Sequence, residues 1–407
     1  MLVNAFGNGA AGPFLLLYLH DARGIPLGLA GLVPATNACV ALLTALAAGS
    51  LADRRGAVPT MVCGLACSAT AFCLYPLVHE AWQAFPLAVL GGVGGGTWLT
   101  LQSSVVATVT PREVRHLAFA QQRVVANVGL GLGGLAGGLI VTVARPQTFT
   151  TLFLANAGTF LVYALVLMIG VHAPPKEHAV GLPRRGYRDV ARDGVFVRLA
   201  ALNFLFVVAV VSLLNSVFPV FARNQAGLSE SAIGALFLVN SATIIVFQLP
   251  TARAIEGRRR MRCFALMGLI FALCWSLVQA GALLSPALLL VGAGIVAMSL
   301  GECIYDSIQG PLVAELAPED LLSRYMAVSG FSWQLGFIAG PALAGLVLGA
   351  EANGLWPLMT ALCLAGSAYA LLLDRRLPET VRFTTRDAAR RAPRRAVPRV
   401  AAALRRR

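Results

Sequence analysis

The chain has 407 residues, 57% of them hydrophobic and only 12% charged, with a formal net charge of +14, whereas soluble domains carry about 25% charged residues. That balance excludes a water-soluble globular fold and points to segments that cross a bilayer.

Windows of about 19 residues find twelve apolar runs, each long enough to cross a hydrocarbon core of about 30 Å. They lie at 2–20, 29–51, 60–78, 83–106, 118–143, 149–171, 198–222, 232–252, 263–284, 286–308, 325–349 and 354–373. Backbone amides facing lipid must be paired, and continuous apolar runs lack the alternation of a membrane barrel, so all twelve are expected to be helices. The first run starts at Leu2 with no basic stretch before it and no cleavage site after it. It is expected to stay as helix one rather than be removed as a signal peptide, and an initiation site upstream of Met1 stays open.

The runs carry few polar groups, which are the candidates for a substrate cavity: Asn8 in the first, Asn37 in the second, Trp98 and Gln102 in the fourth, Asn127 in the fifth, Asn215 in the seventh, Asn240 in the eighth, Tyr305 in the tenth, and Trp333 and Gln334 in the eleventh. Each alone reads first as glue between helices. Together they outline a pocket suited to lipophilic, neutral or weakly cationic compounds rather than to sugars or phosphates, which need denser polar lining or arginine clamps. The eight cysteines fall in or beside apolar runs and read as small buried hydrophobes. The five histidines lack ligand spacing, so neither a metal nor a cofactor is expected.

Sorting basic residues by loop leaves only Arg23, Arg145 and Arg223 on one side, with Arg123 inside a run and all the others on the opposite side. Basic residues flanking spans are retained in the cytoplasm, so both termini are expected there, in a multi-pass protein of the cell membrane. The tail 375–407 is rich in Arg and Ala and interrupted by Pro378, Pro393 and Pro398, and is expected to be disordered. It reads as a retention signal or a contact with anionic lipid. Without stacking aromatics it does not read as a nucleic-acid binder.

A shift of 203 residues places Gly24 on Gly227, Gly31 on Gly234, Asn37 on Asn240 and Asp53 on Glu256, and a shift of 207 places Gln102 on Gln309, Gly129 on Gly336, Gly133 on Gly340 and Gly138 on Gly345. Six spans therefore repeat as six spans, a plan known from transporters with parallel repeats. The expected organisation is a six-helix half at 1–171, a linker at 172–197, a second half at 198–374 and the tail.

After the second span, "GSLADRRGAVPTM" resembles the loop signature of the major facilitator superfamily at Gly49, Leu51, Asp53, Arg54 and Gly56. The stretch "ARAIEGRRRMRCF" is a degraded copy at the matching place in the second half. Span five, "RVVANVGLGLGGLAGG", is similar to the family's antiporter motif at Gly129, Gly133, Gly137 and Gly138, with Gly134 in place of its proline, and its counterpart in span eleven keeps Gly340 and Pro341. The arginine of the usual span-four motif is missing. The resemblance implies an all-α fold of two pseudo-symmetric halves, working by alternating access as a monomer. It also implies that Asp53 latches onto the start of span eleven, near Leu322 to Tyr325, when the cytoplasmic side closes. Locally, Arg54 and Arg55 would compensate the same carboxylate at a helix C-terminus.

Ionisable groups within spans default to functional candidates. Glu302 and Asp306 lie one turn apart on one face of span ten. Arg123 enters span five from the same side, and by the family's arrangement an Arg123–Glu302 pair across spans five and ten is expected. Opened in one state, that pair would let Glu302 take a proton. The preferred reading is proton-coupled efflux of small hydrophobic or drug-like compounds. Uptake of a metabolite by the same fold, an integral-membrane enzyme and a non-transporting scaffold are the alternatives. No phosphate-binding loop indicates ATP drive.

Overall fold

The computed structural model describes residues 1–109, 115–171, 187–318, 321–350 and 354–384. Within those helices the side chains of a few residues, among them Asp53, Arg54 and Arg123, lie outside the description. The N-terminal six helices are α1 (Leu2–Leu17), α2 (Leu27–Arg55), α3 (Ala57–Leu74), α4 (Ala81–Val109), α5 (Arg115–Ile140) and α6 (Gln147–Gly170). A short α7 (Tyr187–Arg192) precedes span seven, which is built from α8 (Gly194–Phe206), a π-helical stretch, α9 (Ser212–Leu214) and α10 (Val217–Asn224). Then follow α11 (Glu230–Ala254), α12 (Arg260–Leu283), α13 (Ala287–Leu316), α14 (Leu322–Ala350), α15 (Leu355–Asp374) and one turn, α16 (Glu379–Arg382).

Eleven of these segments are long and apolar enough to span a bilayer, and in α5 the described apolar part is Val124–Ile140. The helix ends follow local chemistry. Pro26, Pro146 and Pro286 precede helices whose first N–H groups need no partner within the turn. Asp193 caps α8 by accepting from the N–H groups of Val195 and Phe196, and Ser229 caps α11 by accepting from Ala232. Gly56 joins α2 to α3 with no intervening loop at φ 92°, a conformation that a side chain resists.

The repeat read from the sequence is visible in the packing. Helix α1 packs on α5 and α6, as α8 and its continuation pack on α14 and α15. The pairs α2–α4, α3–α4 and α3–α6 recur as α11–α13, α12–α13 and α12–α15. Between the halves, α2 lies along α14 and α5 along α11, two contacts that a pseudo-twofold exchanges. Gly24 and Gly227, superposed by the 203-residue shift, turn the chain at φ 70° and 64°.

Spans one and seven are the most enclosed, 61% buried each, whereas α2 is 33% buried. The outer helices turn large apolar side chains outward, for example Leu161, Leu165, Met168 and Ile169 of α6. An apolar surface this continuous calls for hydrocarbon as its solvent. Four cysteines are buried, at 263, 274, 303 and 363, but Cys39, Cys63 and Cys73 are exposed, because span residues facing outward are apolar too.

Part of the expected linker and part of the expected disordered tail have regular structure. The second part of the 172–197 linker is helical, as α7 and the start of α8, while 172–186 lies outside the described residues. Beyond Asp374 the chain stays ordered as far as Thr384. Leu377 and Val381 are 2% and 5% exposed. Phe383 forms an antiparallel bridge with Arg259, and Thr384 exchanges backbone bonds with Gly257 and Arg258 at 2.9 and 3.0 Å. Local apolar anchors and the unpaired amides of the α11–α12 turn outweigh the polar composition here. Residues 385–407 lie outside the described residues.

Candidate functional site

The face at which α1 begins is called the terminal face below, and the opposite one the distal face. At the distal face the two halves are tied by polar groups. The widened last turn of α1, Tyr18–Ala22, brings Asp21 to the end of α10. There Asp21 pairs with Arg223 at 3.3 Å and accepts a hydrogen bond from Asn224 Nδ2 at 3.0 Å. Arg223 also pairs with Glu230 at 2.6 Å. Glu230 Oε1 in turn accepts from the backbone N–H of Val143, in the α5–α6 loop of the other half, at 3.1 Å. Beside this cluster, Arg23 fixes α1 to the α3–α4 connection, donating to Tyr18 Oη at 2.6 Å and to Pro76 O at 2.5 Å.

Below these charges the halves meet through glycines. A Cβ added to Gly138 would stand 2.6 Å from Gly234 Cα and 2.4 Å from Glu230 O, and one added to Gly31 would stand 2.9 Å from Pro341 O and 3.1 Å from Gly345 Cα. Backbones approach this closely only without side chains. The glycine motif thus has two faces. Gly134 and Gly138 meet α11 across the halves, whereas Gly129, Gly133 and Gly137 bed α5 on α1 within its own half. The same division holds in α14, where Gly340 abuts Ser212 of its own half while Pro341 and Gly345 face α2.

Toward the terminal face, α2 and α14 touch once more where Gln334 Nε2 donates to Ala38 O at 3.1 Å. Beyond that point a cavity of about 670 Å³ separates Ala41, Leu42 and Ala45 from Val328, Phe331 and Trp333, with Gly96, Leu99 and Thr100 of α4 as its floor. A second cavity of about 630 Å³ lies between α1, α4 and α5, lined by Asn4, Asn8, Trp98, Gln102, Gln122 and Leu99 among others. Leu99 borders both. Near mid-membrane, a small cavity of about 150 Å³ gathers Asn127, Asn215, Asn240, Ser241 and Glu302. It sits where span seven breaks between α9 and α10, at Asn215 and Ser216.

The candidates read from the sequence therefore divide. Asn8, Trp98 and Gln102 line one large cavity, Trp333 and Gln334 the other, and Asn127, Asn215 and Asn240 the small one. Asn37 instead donates to Ala88 O at 3.2 Å and ties α2 to α4, and Tyr305 donates to Asn203 Oδ1 at 2.5 Å inside the second half. Asn240, the repeat partner of Asn37, ties α11 to α13 through Ser299 at 2.9 Å and Glu302 at 3.2 Å.

Span five was expected to meet span ten. Its main contact across the halves is with α11, and Asn127 of α5 and Glu302 of α13 line the same small cavity. The reason is steric: Gly131, Gly134 and Gly138 fit α5 to α11. The Arg123 side chain, and with it the expected pair with Glu302, lies outside the described residues, as do the side chains of Asp53 and Arg54 in the loop motif. Of that motif, Leu51 is exposed, Gly49 has open space around it, and Gly56 makes the α2–α3 turn. Near the start of α14, Tyr325 donates to Asp193 Oδ2 at 2.9 Å and packs on Phe196.

Sequence reasoning missed Asp21, Arg223, Asn224 and Glu230, which looked like ordinary loop residues. One signal was available: the 203-residue shift that aligns the glycines also places Asp21 on Asn224.

The profile of the Major Facilitator Superfamily matches residues 1–295 and again 200–407. Among curated relatives, the MFS-type transporter YhjO of Bacillus subtilis (strain 168) is 22% identical over 85% of this chain and 84% of its own length. The multidrug resistance protein MdtH of Aeromonas salmonicida (strain A449) is 23% identical over 81% of this chain and 80% of its own. Among solved structures, a D-xylose-proton symporter superposes with a TM-score of 0.74 at 13% identity, covering 94% of this chain and 98% of that one. A bacterial homologue of the human lysosomal transporter Spinster, in an inward-facing and occupied conformation, gives 0.70 at 14% identity, covering 94% and 97%. With twelve spans in two repeated halves and a profile match along its length, this chain is a transporter, not an enzyme, and belongs to the Major Facilitator Superfamily.

Proposed function

We propose that the protein exports small hydrophobic or drug-like compounds from the cytoplasm by alternating access, driven by the entry of protons, and that one chain does so alone. The observation that carries this reading is a predominantly apolar pair of cavities in the terminal half of the molecule, beneath a distal face shut by the Asp21–Arg223–Glu230 cluster and the glycine contacts. The concentration of basic residues on the terminal face favours the cytoplasm for that side. The described structure is then the inward-facing member of the cycle. Similarity to multidrug resistance proteins supports efflux over uptake.

Coupling is assigned to Glu302. Its carboxylate stands in the small mid-membrane cavity beside three amide side chains, held by Asn240, where a carboxylate can alternate between charged and neutral forms as the halves move. Asp306 lies one turn below it, and Arg123 is proposed as the partner of Glu302 from α5, one helical turn before Asn127. Asp53 would hold the start of α14 once the terminal face closes, because the free amides of a helix N-terminus attract an anion. The test is purified protein in liposomes under an imposed pH gradient, challenged with dyes, antimicrobials and sugars. Gradient-driven movement of lipophilic compounds supports the reading, and counterflow of sugars alone refutes it.

A further inference from the structure

The two large cavities differ in chemistry and meet at Leu99, which is 56% exposed between them. The chamber between α1, α4 and α5 has unmet hydrogen-bonding capacity. Asn4, 3% exposed, accepts from Asn8 through Oδ1 at 3.3 Å, while its Nδ2 has no partner among the described residues. Gln122 Oε1 is likewise buried without one. The Nε2 of Gln102 reaches only the weak acceptor Met1 Sδ, at 3.3 Å. Buried amides in this condition are completed by water or by a ligand that enters the chamber, and a ligand matching them gains their hydrogen bonds. The chamber between α2, α4 and α14 is the reverse. Its amide and hydroxyl at Gln334 and Thr100 are already engaged with Ala38 O and Gly96 O, and its walls are Ala, Leu, Val, Phe and Gly with Trp333. Among the described residues no charged side chain lines either chamber, and the one ionisable group is the Met1 amine at the polar one, whose protonation burial disfavours.

We propose that the two chambers form one binding site for an uncharged, single-tailed amphiphile. Its head, carrying both a hydrogen-bond donor and an acceptor such as the hydroxyls of a glycerol ester or an amide, completes Asn4 and Gln122. Its apolar tail passes Leu99 and fills the space between α2 and α14. A cationic head is disfavoured because no described carboxylate lines the polar chamber, and an anionic one because the Met1 amine, disfavoured as a cation by burial, is the sole described group that could offset its desolvation. A sugar is disfavoured because the walls of the apolar chamber offer few hydrogen-bonding groups, those of Thr100, Trp333 and Gln334, for its many hydroxyls. This rests on the reading of the cavities as the substrate site, and it narrows that reading from hydrophobic compounds in general to one molecular shape.

The two chambers hold different tryptophans, Trp98 in the polar one and Trp333 in the apolar one, so bromine quenching can report the orientation of a bound molecule. The probe is 1-monoundecanoylglycerol in nanodiscs, brominated either at the tail end or next to the ester. The tail-end bromine should quench Trp333 saturably, in a component lost in Trp333→Phe. The ester-side bromine should quench the component lost in Trp98→Phe. Unbrominated probe should compete for both. Gly330 lines the apolar chamber, and a Cβ there meets open space. Gly330→Leu should therefore fold normally, fill the tail space and raise half-saturation roughly tenfold. Asn4→Leu should raise it by a similar factor. Non-saturable quenching, quenching indifferent to Gly330→Leu, an exchanged bromine pattern, or tighter binding of undecanoate or an undecyl trimethylammonium ion overturns the proposal. The readout needs no transport. Flux of unrelated compounds without saturable quenching discards the amphiphile site and leaves export standing, and saturable quenching without any flux does the converse.

Discussion

Asn224 donates from Nδ2 to Asp21 Oδ1 at 3.0 Å, and the two residues occupy the same place in the two halves, 203 positions apart. Equivalent positions that touch must lie at the pseudo-twofold axis, so the distal face closes where the repeat brings the ends of spans one and seven together. Asp21 is 9% exposed at its side chain and Arg223 29%, which makes this a partly desolvated pair, costly to break by removing one partner.

Asp21→Asn removes the charge on the N-terminal half and leaves Arg223 with Glu230 alone. A loss of about 1–3 kcal/mol from the closed distal face shifts the two-state balance roughly 5–150-fold. Cysteine labelling from the distal side should show increased accessibility, while labelling at the terminal mouth decreases. Unchanged accessibility on both sides would remove the cluster from the gating mechanism.

The two faces of α5 separate gating from stability. Gly138→Ala places a methyl against Gly234 and Glu230 O across the halves, and is expected to block distal closure and slow transport while the protein stays folded. Gly133→Ala drives a methyl into Phe6 O of α1 within one half, and is expected to lower the melting temperature by an overpacking cost of about 1–3 kcal/mol. Thermal unfolding and transport assays on the two variants should give opposite rankings.

For Glu302→Gln, flux driven by a pH gradient is expected to disappear while exchange of substrate between two equal pools continues. The carboxamide keeps a partner for Asn240 but cannot carry a proton. Gradient-driven flux at the wild-type rate would assign coupling elsewhere, with Asp306 next to be tested.

Asp53→Asn is expected to weaken transport without altering membrane insertion, because the latch acts only when the terminal face closes. Vesicles containing the variant with undiminished flux would leave Asp53 a purely local partner of Arg54 and Arg55.

Thr384 bonds through its hydroxyl to Ile255 O and accepts from the Arg258 N–H at 3.1 Å, and beside it Arg259 stacks over Phe383 and pairs with Asp374 at 2.9 Å. Thr384→Val should destabilise this clip by ~1 kcal/mol and speed tryptic cleavage at Arg258. Truncation after Thr384 should spare it, whereas truncation after Pro378 should not. Equal protease resistance in all three proteins would show that the α11–α12 turn holds itself.

What the sequence settled by itself is what hydrocarbon and chain geometry dictate locally. Long uncharged runs in a bilayer have only the helix as a solution, so span number and approximate limits were legible. The 203- and 207-residue shifts exposed the repeat, since glycines required at close contacts recur at equivalent places. Partnership was decided only in three dimensions. The glycines of α5 all looked alike in sequence, yet one residue of offset, Gly133 against Gly134 or Gly137 against Gly138, chooses between α1 and α11. Asn37 looked like a cavity residue but ties α2 to α4, and its repeat partner Asn240 both lines the small cavity and ties α11 to α13. Asp21, Arg223 and Glu230 looked like loop charges, and only the folding of α1 against α10 and of the α5–α6 loop against α11 turns them into a seal. A side chain's period gives its direction from its own helix, but what stands in that direction depends on the crossing of two helices far apart in the chain, and no local pattern encodes it.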